Sequence, residues 1–215
     1  MPDIRTSLAQ EKAINHFLGP AMVIAGPGSG KTFVLTRRIQ ALIQRYKVSP
    51  DKICVITFTK AAANEMRERY LLLDNSSYQV TFGTFHSIFF QLLKDKYSNL
   101  KILDNPLKSK IIKQLHEELQ VKNNSFSLTY SDISGYISEY KNGNTQSNLV
   151  PEEFKEYILK TYNNYVHDYN CIDLDDFASM LYNELKKDKS FLNNCQKKYD
   201  FVLVDEFQDI NLALL

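Results

Sequence analysis

The stretch Gly26-Pro27-Gly28-Ser29-Gly30-Lys31-Thr32 is a glycine-rich motif that fits the pattern G-x-x-x-x-G-K-[ST] at every fixed position. An apolar run, Ala21–Ala25, precedes it, and apolar residues with helical spacing follow it. A strand, a glycine-rich loop and a helix in this order predict a phosphate-binding loop, because backbone N–H groups turn inward and the helix N-terminus adds its positive end. We expect Lys31 to reach the terminal phosphates of a nucleotide and Thr32 to hold Mg²⁺.

An acidic pair near the other end of the chain complements this loop. The apolar run Phe201–Val204 ends in Asp205 and Glu206, which is a Walker B pattern. We expect Asp205 to join the Mg²⁺ shell and Glu206 to accept a proton from the attacking water. The two motifs together predict hydrolysis of a nucleoside triphosphate rather than transfer of a phosphoryl group to a small acceptor.

Composition limits the class of protein. The chain has 215 residues, 44% of them hydrophobic and 24% charged, which suits one globular domain with an insertion or two small domains. No apolar run is long enough to span a bilayer, and the N-terminus lacks a signal pattern. The odd number of cysteines, three, argues against a disulfide framework. We therefore expect a cytoplasmic protein without a membrane partner.

Charge is spread unevenly along the chain. Residues 1–103 hold 14 Lys and Arg against 7 Asp and Glu, whereas residues 104–215 hold 12 against 18. The positive first part is compatible with contact to a polyanion. Part of that charge serves the nucleotide, so it does not by itself indicate DNA binding.

Strand-like runs alternate with helical patterns in the first part of the chain. The predicted strands are Ala21–Ala25, Ile53–Thr57, Tyr78–Phe82 and Phe201–Val204. Strands separated by helices pair in parallel, so the pattern predicts an α/β fold with a parallel sheet covered on both faces.

From about Asp104 the pattern becomes all-helical, with three amphipathic stripes. One stripe is rich in tyrosine, and its helical spacing favours packing in a small helical subdomain over stacking on bases. We predict three segments, namely residues 1–103, a helical insertion at 104–170, and a return to the α/β domain at 171–215.

Several motifs follow one another in a fixed order: Gln10–Ile14, Ala25–Thr32, Ile56–Arg67, Gly83–Ser87, Ile172–Phe177 and Val204–Asp209. In this order and spacing the sequence resembles the UvrD/Rep/PcrA-type superfamily 1 DNA helicases over essentially its whole length. The resemblance implies a RecA-like P-loop NTPase sheet, interrupted by a helical subdomain called 1B. It depends on several motifs, which makes it far more specific than the phosphate-binding loop alone.

The resemblance also implies roles for individual residues. The nucleotide would be ATP with Mg²⁺, bound by Ala25 to Thr32. Gln10 would contact the adenine edge, and Gln208 would couple the γ-phosphate to the DNA-facing motifs. The residues implied to line the path of single-stranded DNA are Phe58, Thr59, Thr84 and His86. An aromatic face such as that of Phe58 stacks on any base at about 1–3 kcal/mol, without reading sequence.

Two positions depart from the family pattern. Phe33 stands where the family often has an arginine close to the nucleotide, and Lys60 follows Thr59 directly where an asparagine is common. These departures concern single contacts of the site and not the motifs themselves.

By resemblance, the chain is the N-terminal portion of an ATP-dependent helicase that moves 3′ to 5′ on single-stranded DNA and unwinds partially duplex DNA. Family members continue beyond the position of Leu215 into a strand that normally lies between the two nucleotide-binding strands, and into a second RecA-like domain that supplies arginine fingers. We therefore expect this chain alone to hydrolyse ATP at or near background. We also expect either direct pairing of Ala21–Ala25 with Phe201–Asp205 or an open slot between them.

The alternatives to the helicase function are a non-catalytic module that binds ATP and nucleic acid, and the helicase half of a helicase–nuclease.

Overall fold

A computed structural model describes residues 6–73, 79–122 and 127–209, which form a helix-rich α/β chain with one parallel sheet. Its strands are β1 (Ile53–Thr57), β2 (Thr81–Thr84) and β3 (Phe201–Val204). The first helices are α1 (Leu8–Asn15), α2 (Lys31–Gln44), α3 (Lys60–Leu71) and α4 (Phe85–Lys96). They are followed by α5 (Asn105–Lys122), α6 (Tyr130–Lys141), α7 (Glu152–Asp168), α8 (Phe177–Lys187) and α9 (Lys189–Lys198). None of these helices has the length and apolar character needed to cross a membrane.

The sheet has the order β2-β1-β3, with both pairs of strands parallel. Val55 at the centre of β1 is paired with Phe82 on one side and with Leu203 on the other. All five residues of β1, the central strand, are buried. The sequence predictions for β1 and β3 are confirmed, whereas β2 begins three residues later than predicted and Tyr78 lies outside the described residues.

The stretch Ala21–Ala25 is not a strand, so that sequence prediction was wrong. The side chains of Met22 and Ile24 are 75% and 92% exposed. An apolar run becomes a strand only where a neighbouring strand accepts its backbone hydrogen bonds. Among the described strands β3 pairs only with β1, and Val202 of β3 is 54% exposed. Direct pairing of Ala21–Ala25 with β3 therefore does not occur, and no described strand lies on the other side of β3.

The chain divides into two compact units, each with its own hydrophobic core. The described residues up to Ile88, together with Asn193–Asp209, form unit 1, and Phe89–Leu192 form unit 2. The core of unit 1 packs α2 and α3 against the sheet. Its buried members are Ile39, Leu42, Ile53, Val55, Met66, Tyr70, Val80, Phe82 and Leu203.

Unit 2 is built on the helical stripes predicted from the sequence. Ile111, Ile137 and Tyr162, from α5, α6 and α7, are fully buried in one core. Of the three tyrosines of α7, Tyr162 is buried and Tyr157 and Tyr165 pack partly buried against the same core, as their spacing predicts. Tyr169, after the end of α7, is 38% exposed.

A buried ionic cluster joins the helices of unit 2. Asp173 is 2% exposed and accepts a hydrogen bond from the Tyr162 hydroxyl at 2.6 Å. Lys108 of α5 and Lys141 of α6 lie 3.1 and 3.4 Å from the same carboxylate, and Lys141 also pairs with Asp176 at 2.6 Å. Burial by itself would raise the pKa of Asp173, but the Tyr162 hydrogen bond and the two lysines outweigh it and lower that pKa. The cluster thus connects α5, α6 and α7 to the turn that begins α8.

Candidate nucleotide-binding site

The glycine-rich loop has the backbone of an anion-binding turn. Gly28 and Gly30 have φ angles of +73° and +84°, the left-handed region that glycine enters without a steric cost. Gly30 precedes α2 and provides no side-chain cap, so the first N–H groups of α2 have no side-chain partner there. Such a helix N-terminus is suited to bind phosphate oxygens.

Lys31 and Glu206 are brought together although they are far apart in sequence. The Lys31 Nζ lies 3.3 Å from the Glu206 Oε1, and the two side chains are 33% and 37% exposed. A solvent-accessible ion pair of this kind is screened by water and contributes little. A triphosphate, with several negative charges, is therefore able to take Lys31 from Glu206.

Asp205 lies at the carboxyl end of β3. Its backbone N–H donates to the Ile56 carbonyl at 2.9 Å, which continues the pairing with β1 by one residue. Burial and then the negative charge of Glu206 raise the pKa of the Asp205 carboxyl, and Lys31 partly offsets this. A cation at this position would relieve both effects, because it stabilises the ionised form.

Glu206 has a strained backbone and two side-chain partners. Its φ is +50°, which costs a residue with a side chain about 1–3 kcal/mol. The Gln208 amide donates to the Glu206 Oε2 at 2.5 Å, while Lys31 contacts the other oxygen. The Gln208 hydrogen bond and then the one from Lys31 lower the pKa of Glu206. In this arrangement Glu206 is a weak base, and it becomes a stronger base when Lys31 leaves.

Gln10 is held at the loop by both ends of its amide. Its Nε2 donates to the Ser29 carbonyl at 3.1 Å, and its Oε1 accepts from the Ser7 N–H at 2.9 Å. The Ser7 hydroxyl accepts from the Gln10 N–H in return, which forms a capping box at the start of α1. Contact with an adenine base requires this amide to exchange at least one of these partners.

Residues of the implied DNA path follow β1 and β2 at the same edge of the sheet, because parallel strands end on one side. Phe58, directly after β1, is 55% exposed. Thr59 caps α3 by accepting a hydrogen bond from the Ala62 N–H at 3.1 Å. Thr84 ends β2 and accepts from the Ser87 N–H at 3.3 Å, and His86 is exposed.

Close packing explains why a glycine, Gly83, begins the motif Gly83–Ser87. A Cβ at Gly83 would lie 2.5 Å from the Ser87 Oγ and 3.0 Å from a carbon of Ile88. The sequence identified this motif by resemblance, but only the structure shows that its glycine makes room for the turn into α4.

The acidic side chains suit a metal that is shared with phosphates. In the described part of the chain, no group of three or more His, Cys, Asp or Glu side chains forms a metal site. Mg²⁺ is commonly held by one or two protein oxygens together with substrate phosphates. The Asp205 carboxylate, next to the residue that contacts Lys31, fits this mode, and Thr32 follows Lys31 in the first turn of α2.

The sequence was compared with known proteins. A family model described as the UvrD/REP helicase N-terminal domain matches residues 6–215. The chain is 35% identical to a probable DNA helicase II homolog of Mycoplasma capricolum, over 94% of this chain and 30% of that protein. It is 32% identical to the ATP-dependent DNA helicase Rep of Buchnera aphidicola, over 95% and 34%. It is 30% identical to the ATP-dependent DNA helicase PcrA of Staphylococcus aureus, over 95% and 30%.

The chain thus spans about a third of the length of these relatives. Along nearly all of its own length it carries their family's sequence pattern. The chain belongs to the UvrD/REP helicase N-terminal domain family.

Proposed function

We propose that this chain is the ATP-binding N-terminal portion of an ATP-dependent DNA helicase or translocase with a RecA-like fold. The observation that carries the proposal is the 3.3 Å approach of Lys31 to Glu206, which brings the glycine-rich loop to the acidic end of β3. Two of the relatives are named as ATP-dependent DNA helicases, which supports ATP as the nucleotide.

The geometry supports a sequence of proton and charge movements at the site. The triphosphate binds the loop from Ala25 to Thr32, and Lys31 exchanges Glu206 for the terminal phosphates. Glu206 then loses a positive partner, so its pKa rises and it becomes able to accept a proton from water. Thr32 and Asp205 are the residues that would hold Mg²⁺, which neutralises phosphate charge when bound.

We further propose that single-stranded DNA passes Phe58, Thr59, Thr84 and His86, with movement 3′ to 5′ and unwinding of partially duplex DNA. The exposed face of Phe58 and its place at the edge that also carries Asp205 support this path. The segments 1–103, 104–170 and 171–215 would correspond to the first part of domain 1A, subdomain 1B and the second part of 1A.

Arginines of a second RecA-like domain would complete the hydrolytic site. All five described arginines are bonded elsewhere in unit 1, namely Arg37, Arg38, Arg45, Arg67 and Arg69. An arginine finger contributes about 10³–10⁵ in rate. We therefore propose that the 215-residue chain alone binds ATP but hydrolyses it near background.

Titration of the chain with ATP and with a single-stranded oligonucleotide tests the proposal. Lys31→Ala is expected to abolish ATP binding and to leave DNA binding intact. Phe58→Ala is expected to weaken DNA binding by about 1–3 kcal/mol and to leave ATP binding intact. Loss of both activities in either variant, or no ATP binding by the unaltered chain, contradicts the proposal. DNA-stimulated turnover by the monomeric chain contradicts only the statement about hydrolysis.

A further inference from the structure

The helix that carries Gln10 is not held by a hydrophobic core. None of the eight residues of α1, all of which the structure describes, is buried, and Leu8 is 79% exposed. A helix this short is marginal by itself in water. The position of α1 beside the phosphate-binding loop therefore depends on contacts near its ends, most of them polar.

Arg38 of α2 makes such contacts at the far end of α1. Its Nη1 donates to the Ala13 carbonyl at 3.1 Å and also to the His16 carbonyl. The last carbonyls of a helix have no partner within the helix, and that end carries a partial negative charge. Burial lowers the pKa of Arg38, yet an arginine keeps its charge in proteins. The half-buried guanidinium thus fixes the C-terminal end of α1 onto α2.

A second set of contacts also holds the end of α1. The Arg45 Nη1 donates to the Asn15 Oδ1 at 2.9 Å, and the Tyr46 hydroxyl donates to the Asn15 carbonyl at 2.7 Å. The Phe17 ring stacks on the Tyr46 ring with centroids 4.3 Å apart. Because these contacts do not involve Arg38, loss of Arg38 would loosen α1 without detaching it.

The position of α1 decides where the Gln10 amide lies. Gln10 is one helical turn before Ala13, on a rigid element about 12 Å long. Its Nε2 donates to the Ser29 carbonyl and lies 3.4 Å from where a Cβ on Gly30 would be. A small rotation of α1 about its Arg38-bound end would therefore move the amide away from the loop.

We propose that Arg38 is a positioning residue for recognition of the nucleotide base. By holding the end of α1, it keeps the Gln10 amide beside the loop at the place where the base of a bound nucleotide arrives. An amide can donate to N7 and accept from the N6 amino group of adenine, whereas guanine presents two acceptors on the same edge. A fixed amide thus prefers ATP to GTP, and a loosely held one does not. The inference depends on the proposed function, and on the contact of Gln10 with adenine that the family resemblance implies.

The test is calorimetric titration of the full 215-residue chain with ATP, GTP and inorganic tripolyphosphate, each with Mg²⁺. Arg38→Met is expected to lower the preference for ATP over GTP by about tenfold, the effect of losing one well-placed hydrogen bond. Tripolyphosphate affinity is expected to stay within about twofold of that of the unaltered chain, because tripolyphosphate lacks the base that Gln10 would contact. Arg38→Lys keeps the charge and is expected to restore part of the preference.

A double-mutant comparison separates positioning from general destabilisation. Gln10→Ala is expected to remove the same preference, and Arg38→Met is expected to add nothing in that background. Arg69→Met is the matched control, because Arg69 lies on the exposed face of α3 in an ion pair with Glu65.

The remaining outcomes show whether the inference alone is wrong or whether the proposed function fails as well. If Arg38→Met keeps the ATP preference, if tripolyphosphate binding falls with it, or if the two substitutions act additively, the inference is wrong and the proposed function stands. Equal binding of ATP and GTP by the unaltered chain also overturns the inference alone. If the unaltered chain binds neither ATP nor tripolyphosphate, the proposed function fails and the inference fails with it.

Discussion

At the scale of single residues, Glu206 is held by two neighbours that both favour its ionised form. Lys31 contacts one oxygen, and Gln208 donates to the other. In the proposed function, the nucleotide displaces the first of these contacts when Lys31 binds phosphate. Glu206 and the triphosphate would therefore compete for the same ammonium group.

Substitution of Glu206 by Gln tests this competition. The amide cannot form an ion pair, so Lys31 is freed, and ATP affinity is expected to rise by up to about fivefold. Titration of the chain with ATP measures the change. Glu65→Gln, which breaks the exposed pair with Arg69, is the control and should have no effect. Weaker ATP binding by Glu206→Gln would mean that the glutamate holds Lys31 in its productive position.

The raised pKa of Asp205 predicts a pH dependence of metal-assisted binding. Only the ionised carboxylate binds Mg²⁺, so protonation of Asp205 competes with the metal. As the pH falls, Mg²⁺-dependent ATP affinity should begin to decline at a higher pH than an ordinary aspartate would give. ATP itself also titrates, but it does so equally with the unaltered chain and with Asp205→Asn. The difference between the two pH profiles therefore reports the titration of Asp205. An identical pH profile in the two proteins would contradict this role of Asp205.

At the scale of elements, the glycine-rich loop depends on a backbone that other residues avoid. Gly28→Ala meets no atom within 4 Å, so its cost comes only from the φ of +73°. Holding an alanine in this left-handed conformation is expected to cost about 1–2 kcal/mol. This cost would weaken ATP binding by about 5- to 30-fold. Gly19→Ala, with φ +81° and open space but outside the loop, carries the same backbone cost and should leave ATP binding unchanged. Equal effects of the two substitutions on ATP binding would contradict the loop's role.

The ionic cluster of unit 2 makes a different prediction at this scale. Asp173→Asn leaves Lys108 and Lys141 without their shared buried carboxylate, which is expected to cost about 3 kcal/mol and to lower Tm by about 6–12 °C. Asp175→Asn, at 3.4 Å from Lys108 only, is the control and should have a small effect.

The pH dependence of Tm, compared between the unaltered chain and Asp173→Asn, tests whether the lowered pKa of Asp173 stabilises the fold. The pKa of Asp173 is lowered on folding, so its stabilisation is present above the ordinary value of 3.8 and is lost as the pH falls through the folded value. The difference in Tm between the unaltered chain and Asp173→Asn should therefore shrink in acid. A difference in Tm that grows as the pH falls would show that burial outweighs the partners of Asp173.

These elements also show how far the sequence alone can predict the fold. The strands β1 and β3 are predictable because each apolar run is bounded by turn residues and ends at a motif. Ala21–Ala25 has the same local pattern, but its conformation depends on a neighbour that local sequence does not reveal. The Gln10–Ser29 and Arg38–Ala13 contacts join residues 19 and 25 positions apart, so no periodicity indicates them.

At the scale of the whole molecule, the described chain consists of two compact units, and the residues of the proposed nucleotide site all lie within unit 1. Lys31 reaches this site from the start of α2, and Asp205 and Glu206 reach it from the end of β3. The proposed function therefore depends on one unit, and the stability of unit 2 can be altered at Asp173 without touching a nucleotide contact.

The most direct measurement is a crystal structure of the chain with Mg²⁺ and a non-hydrolysable ATP analogue. We predict that Thr32 and Asp205 both contact the Mg²⁺, and that Lys31 has left Glu206 for the terminal phosphate. A nucleotide bound elsewhere, or a metal that Asp205 does not reach while Lys31 remains paired with Glu206, would contradict the account.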